Sequence, residues 1–260
     1  MRRLFPVEDD PAGPAHPDGW EWTPEELAEV YAYPAEAAAE GWLRANMVSS
    51  LDGAAHHGGR SQPLSSDADM RIFGVLRALA DVVVVGAETV RQEGYRPARA
   101  REAFAAQRRA QGQAPAAAIA VLSASLDLDF SLPLFTEPLT PTLVLTGESA
   151  PADRVAEARK AGAEVVFAGA DRGADPAAAV AALRERGLTR MLSEGGPTVL
   201  SSFATAGVLD ELCLTLSPRI AVGDAPRVMH GAVAFPVPQE FTLVSLLEEA
   251  GFLFSRYRRI

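Results

Sequence analysis

The sequence has one cysteine in 260 residues, so no disulfide can form within the chain and no thiolate cluster can hold a metal. Cys213 lies in the alternation Leu212, Cys213, Leu214, Thr215, Leu216 and reads as a buried strand residue, because free cysteine usually packs in cores. Long apolar runs are also missing. No stretch approaches the ~18 consecutive apolar residues of a membrane-spanning helix, and residues 1–10 lack the apolar region of a secretory leader. The cytoplasm is the expected location. Positive charge is in short supply: 24 Lys and Arg stand against 34 Asp and Glu, a net charge of −10 with a pI near 5.0. That balance argues against a nucleic-acid or anionic-membrane surface, so any phosphate must be held locally by a few arginines and helix ends. What is plentiful is apolar: 48% hydrophobic against 22% charged. This suits a soluble globular protein with a large core, built as one large α/β domain or two small ones.

The most informative stretch runs from Met191 through Ser193, Glu194, Gly195, Gly196 and Pro197 to Thr198. It reads as a short buried strand, a turn holding a carboxylate and two glycines, and a helix opened by proline at a position that needs no N–H. Gly195 and Gly196 would let the backbone approach a bulky anion, and the free N–H groups and dipole of the new helix favour negative charge there. Glu194 must then face something else, such as a hydroxyl, an amide or a ring N–H of a ligand. Alone, the motif reads equally as a plain strand-to-helix turn.

Residues 1–41 are rich in Pro, Gly, Asp and Glu and are expected to form a loosely packed arm with one short helix. Thr23 would cap that helix, with Pro24 at its first position and Glu26 closing a capping box. Trp20, Trp22, Tyr31 and Tyr33 suggest that it docks on the main body, residues 42–260. There the pattern predicts a strand over 42–49 and a helix over 67–80, with Ile72, Val75, Leu76 and Leu79 on one face. The continuous apolar run 81–86 reads as a strand buried on both faces of a parallel sheet. Residues 95–115 are expected to hold a surface helix. Strands at 118–123, 142–146, 164–168 and 189–193 then alternate with helices at 152–161 and 176–187. This rhythm predicts an α/β fold: a mostly parallel central sheet with helices on both faces, and ligands at the carboxyl ends of the strands. After a strand at 211–216, segments 241–247 and 252–258 read as a C-terminal antiparallel hairpin.

Four stretches now fall in order: Ser49-Ser-Leu-Asp-Gly53, Gly59-Arg-Ser-Gln-Pro-Leu-Ser65, Leu76-Arg77 to Gly86-Ala-Glu-Thr-Val90, and Glu194-Gly-Gly-Pro-Thr198. Together they cover about residues 42–258 and resemble the reductase domain of the bacterial riboflavin-biosynthesis protein RibD and its stand-alone pyrimidine reductase relatives. The resemblance implies a dihydrofolate-reductase-like fold. RibD's zinc deaminase half has no counterpart, because its cysteine ligands cannot come from a chain with one cysteine.

The resemblance also implies a cofactor, NADPH, and a reaction: hydride transfer to the ribosyl C1 of a ribosylamino-pyrimidine 5′-phosphate such as 5-amino-6-(5-phosphoribosylamino)uracil. No metal is implied. Carried over position by position, it gives catalytic roles to Asp52 and Glu194, and substrate contacts to Ser61, Ser65, Arg77, Arg99 and again Glu194. Cofactor contacts fall to Val48, Gly86, Thr89, Glu93, Ser123 and Thr146, and to Gly195, Gly196, Pro197, Thr198 and Val199. A preference for NADPH over NADH is expected, with Ser123 and Thr146 at strand ends near the adenosine 2′-phosphate, although no arginine is obviously placed for it. A homodimer is expected through apolar residues of the terminal strands: Leu212, Leu214, Leu216, Phe241, Leu243, Leu246, Phe252 and Phe254. The chain departs from the family pattern on the substrate side. Ala54 stands where many members have Lys, Pro63 where they have Trp, and Glu93-Gly-Tyr-Arg-Pro-Ala-Arg99 replaces an Asp-Asn-Pro-x-Leu-Thr-x-Arg segment. A pterin or dihydrofolate reductase of the same fold therefore stays open as an alternative, as does a non-catalytic nucleotide-binding protein.

Overall fold

The computed structural model of the chain describes residues 1–6, 22–231 and 234–260; Trp20 lies outside them. The chain opens with β1 (Arg2–Phe5), α1 (Pro24–Val30) and α2 (Ala37–Glu40). There follow β2 (Trp42–Ser49), a 3-10 turn at Gln62–Leu64, α3 (Asp67–Leu79), β3 (Val82–Gly86), α4 (Ala87–Glu93) and α5 (Glu102–Ala110). The middle of the chain is β4 (Ala118–Leu122), α6 (Pro133–Thr136), β5 (Leu143–Thr146), α7 (Ala152–Lys160), β6 (Glu164–Phe167), α8 (Pro176–Glu185) and β7 (Arg190–Ser193). Then come α9 (Pro197–Thr205), β8 (Glu211–Leu216), β9 (Phe241–Glu249) and β10 (Phe252–Arg259). Among the described residues these strands form one sheet in the order β1-β9-β10-β8-β2-β7-β3-β4-β5-β6. From β8 to β6 the pairs are parallel, and β10 with β8, β9 with β10 and β1 with β9 are antiparallel. No helix among the described residues is long and apolar enough to cross a membrane.

The Val-rich run becomes a strand because it can be buried on both faces. Val83 and Val85 face Ile72, Val75, Leu76 and Leu79 of α3, while Val82 and Val84 join Leu183 of α8 and Leu200 and Phe203 of α9. Alternation along β3 thus feeds two cores, one on each side of the sheet. α3 starts where Ser66 caps it, its side chain accepting the Asp69 N–H at 3.2 Å.

Of the 1–41 arm, whose residues 7–21 lie outside the described residues, Arg2–Phe5 and α1 are built into the body. β1 pairs with β9, the N-terminal amine lies 3.1 Å from Glu249, and Met1, Trp22, Leu27 and Tyr31 enter the core. The capping box of α1 is present, with Glu26 accepting the Thr23 N–H at 2.7 Å. Beside this apolar contact, buried charge ties down the end of α1. Glu211 of β8 is fully buried between Arg44 of β2, at 2.6 Å, and Arg256 of β10, at 2.7 Å. These same guanidiniums donate to the carbonyls of Tyr31, at 2.6 Å, and Ala32, at 2.9 Å, just past the end of α1. Burial opposes the Glu211 charge, yet the two arginines hold its carboxyl below the ordinary range. The carbonyls left over at the helix end are thereby satisfied from the sheet.

The terminal strands divide their apolar residues between two faces. Phe252, Phe254, Leu247 and Cys213 point into the core, whereas Leu212, Leu214, Leu216, Leu243 and Leu246 stay half-buried. Phe252 and Phe254, expected at an interface between copies, are consumed by the protein's own interior.

Candidate functional site

β7 lies between β2 and β3, so the Glu194 turn leaves the sheet at its centre. The Glu194 N–H donates to the Val84 carbonyl at 3.0 Å, and the Gly86 N–H to the Gly195 carbonyl at 2.8 Å, which presses the turn against the end of β3. Side chains do not fit this contact. A Cβ on Gly86 would lie 2.9 Å from Val199 Cγ2, and one on Gly196 would lie 2.9 Å from Thr89 Oγ1. Gly195 has φ 81°, in the left-handed region that favours glycine, and the Gly195-Gly196 peptide is cis. α9 follows with Gly196 at its N-cap, no side-chain cap and Pro197 in its first turn. The N–H groups of Thr198 and Val199, which no intrahelical carbonyl reaches, are left to whatever approaches this end, and Thr198 is exposed.

Glu194 turns the other way. Its side chain is 3% exposed and takes a two-point contact from Arg77 of α3, Nε to Oε1 at 2.6 Å and Nη2 to Oε2 at 2.5 Å. The Tyr95 hydroxyl also donates to Oε2. Burial first, and then the Glu194 charge, push the Tyr95 hydroxyl well above its ordinary range, so it stays a donor. The Arg77 guanidinium lies 4.4 Å from the Phe73 ring centroid and 5.2 Å from that of Tyr95, which fixes its plane. A carboxylate oxygen accepts about two hydrogen bonds, so Oε1 keeps one place open.

This cluster sits on a cavity of about 570 Å³ whose wall includes Val48, Ser61, Ser65, Arg77, Thr89, Glu93, Arg99, Glu194, Gly196 and Pro197 of the predicted set. Several are already engaged with one another. The N–H and hydroxyl of Ser61 both donate to Glu93 Oε1, at 2.9 and 3.0 Å, and Ser65 donates to Asp69 at 2.5 Å. Asp69 in turn accepts from Thr215 at 2.6 Å. Arg96 and Arg99 are exposed and have no ion-pair partner among the described residues. Tyr95, Phe73, Asp69 and His56 also line the wall and went unread in the sequence; the aromatic residue inside the altered segment 93–99 was the available signal for Tyr95.

Beyond the turn a second cavity, of about 350 Å³, is lined by Gly86, Ser123 and Val199 together with Arg91 and Arg172. Four predicted residues line neither cavity. Thr146 is fully buried and its hydroxyl is spent on the Arg172 carbonyl, at 3.1 Å, so it braces a loop instead of forming a wall. Asp52 lies on neither cavity wall. It accepts from the Ser50 hydroxyl at 2.5 Å and from the Ala221 and Val222 N–H groups at 3.0 and 2.8 Å. The Ser50 hydroxyl and those amides hold its carboxyl down at about 2. Asp52 thus ties the loop after β2 to the loop after β8. Gly195 and Thr198 flank the turn without lining either cavity. No group of three or more His, Cys, Asp or Glu among the described residues could hold a metal ion.

Set against known proteins, residues 41–248 match the family described as RibD C-terminal domain. A protein of Archaeoglobus fulgidus named 2,5-diamino-6-ribosylamino-4(3H)-pyrimidinone 5′-phosphate reductase is 29% identical, over 72% of this chain and 84% of its own. One of the same name from Methanothermobacter thermautotrophicus is 32% identical, over 72% and 82%. Among solved structures, a pyrimidine reductase-like protein of Corynebacterium diphtheriae superposes with a TM-score of 0.80 at 31% identity, over 90% of this chain and 98% of its own. RibD of Acinetobacter baumannii, at 17% identity and a TM-score of 0.68 over 85% of this chain and 58% of its own, shares the fold.

The buried pair gives a stability prediction. Arg77→Met leaves Glu194 with Tyr95 as its remaining partner and should lower unfolding stability by about 1–3 kcal/mol in urea melts. The double variant Arg77→Met/Glu194→Leu should lose less than the sum of the single losses, since both members of one pair are gone. Strict additivity would show that the pair carries no coupling.

Proposed function

We propose that this chain, which belongs to the RibD C-terminal domain family, is a reductase that transfers a hydride from NADPH to the ribosyl C1 of a ribosylamino-pyrimidine 5′-phosphate. The observation that carries this reading is the Glu194 turn standing between two cavities, with an uncapped helix end on one side and a buried carboxylate on the other. The uncapped N–H groups at the start of α9 fit a dinucleotide's pyrophosphate. The names of the relatives support the substrate class.

When bound, the nicotinamide cofactor supplies the hydride. The chain's residues supply position. Thr198 and Val199 offer amide donors to the pyrophosphate, while Gly196 and Val48 form the wall of the larger cavity. Glu194 fixes an N–H of the pyrimidine or of the cofactor amide through the open place on Oε1. Arg77 is committed to Glu194, so its part is to orient that carboxylate. The guanidiniums of Arg96, Arg99 and Arg101, unpaired among the described residues and on the cavity wall, are the ones left to meet a 5′-phosphate. Bringing both ligands to one cleft is where most of the acceleration would arise.

NADPH absorbance should fall when either the 2,5-diamino-pyrimidinone ribotide or its uracil counterpart is added, and should hold steady with dihydrofolate. Turnover on dihydrofolate instead would favour the pterin reading, and NADPH binding without turnover on any of them a nucleotide-binding protein.

The same reading includes a homodimer, supported by the half-buried face of Leu212, Leu214, Leu216, Leu243 and Leu246 on the terminal strands. Light scattering at micromolar protein should give twice the 27.5 kDa of one chain; the mass of a single chain contradicts it.

A further inference from the structure

The second cavity has a wall built by backbone and left with one free charge. The loop between β6 and α8 folds back across the ends of β4 and β5. There the Gly147 N–H and the Thr146 hydroxyl both bond the Arg172 carbonyl at 3.1 Å, and the Ser149 N–H bonds the Asp171 carbonyl at 3.1 Å. A Cβ on Gly147 would lie 1.8 Å from the Asp171 carbonyl oxygen, so the approach requires glycine. The backbone of Arg172 is thus fixed. Its side chain is exposed on the cavity wall and has no hydrogen bond or ion pair among the described residues.

The other charges on this wall are spent. Glu88 accepts from Arg91 and, at 2.7 Å, from Gln92, and Arg91 also donates to the Asp127 carbonyl at 2.5 Å. Two hydroxyls remain. Ser123 accepts the Leu126 N–H at 3.0 Å and Ser125 the Asp127 N–H at 3.3 Å, so each keeps its own proton to donate. A free guanidinium with two O–H donors and no free carboxylate is a receptor for a phosphate monoester. Where a dinucleotide site takes the unphosphorylated ribose, an acid at a strand end usually meets the 2′-hydroxyl, and an arginine nearby takes a 2′-phosphate. Here Ser123 follows the end of β4 and the acid on the wall is paired. Val199 belongs both to the first turn of α9 and to this wall, which places the cavity one step along from the pyrophosphate seat.

We propose that Arg172, with Ser123 and Ser125, receives the adenosine 2′-phosphate and sets the choice of NADPH over NADH. This rests on the reading of the α9 end as the pyrophosphate site. The test is calorimetric binding of NADPH and of NADH, without substrate, to the parent and to Arg172→Gln. The parent should bind NADPH more tightly, and the variant should lose about tenfold or more in NADPH affinity while NADH stays within about twofold. Unchanged NADPH affinity in the variant overturns the assignment. So does an equal loss for both cofactors, which would mark Arg172 as a loop brace. A parent that binds both cofactors equally leaves the pyrophosphate site standing and removes the 2′-phosphate seat; a parent that binds neither removes both.

Discussion

The structure depends on one close approach, that of the Glu194 turn to the end of β3. Two backbone hydrogen bonds hold it, Glu194 to Val84 and Gly86 to Gly195, and two missing side chains permit it. Because Gly86 and Gly196 lack Cβ atoms, Val199 and Thr89 can close over the turn, and α9 leaves the sheet with its first N–H groups unoccupied. A helix end at the centre of a parallel sheet, at the carboxyl ends of the strands, is where such folds bind ligands.

The same turn keeps like charges apart. An anion at the end of α9 would repel a carboxylate a few ångströms away, and burying that carboxylate unpaired would cost several kcal/mol. Arg77 and Tyr95 meet the second demand, and they come from α3 and from the segment after α4, which ties the placement of both to Glu194. The consequence reaches the substrate side. Because Arg77 is held by Glu194, the free positive charge of this cleft is left to Arg96, Arg99 and Arg101.

Much of this was legible in the residues. The Val run at 82–86, the α3 stripe and the Glu-Gly-Gly-Pro turn each combine a local signal with a burial pattern that agrees with it, so the core strands and α3, α7, α8 and α9 stand where the pattern set them, whereas α6 at Pro133–Thr136 carries no such signal. What could not be read depends on distant partners. Arg2–Phe5 is too short to declare itself a strand and becomes one by pairing with β9. Arg44, Glu211 and Arg256 each resemble a solvated strand flank, and three segments must meet before they form one buried cluster. The contacts of Asp52 with the Ala221 and Val222 amides, about 170 residues away, are equally invisible in its local motif. Arg172 lies in a loop whose course is set by Gly147 and Thr146.

The central claim is that the dinucleotide's pyrophosphate rests on the end of α9, and NADPH affinity of two variants tests it most directly. Gly196→Asp brings a negative charge to about 4 Å from that position, a repulsion of ~4 kcal/mol at an effective dielectric of 20, and should weaken binding by roughly three orders of magnitude. Its Cβ also meets Thr89 Oγ1 at 2.9 Å, so melting is followed beside binding. Thr198→Asp is the companion: it is exposed, an acid in the first helical turn favours the helix, and it should still cost about tenfold or more in affinity. If both variants melt like the parent and bind NADPH as the parent does, the phosphate does not sit there.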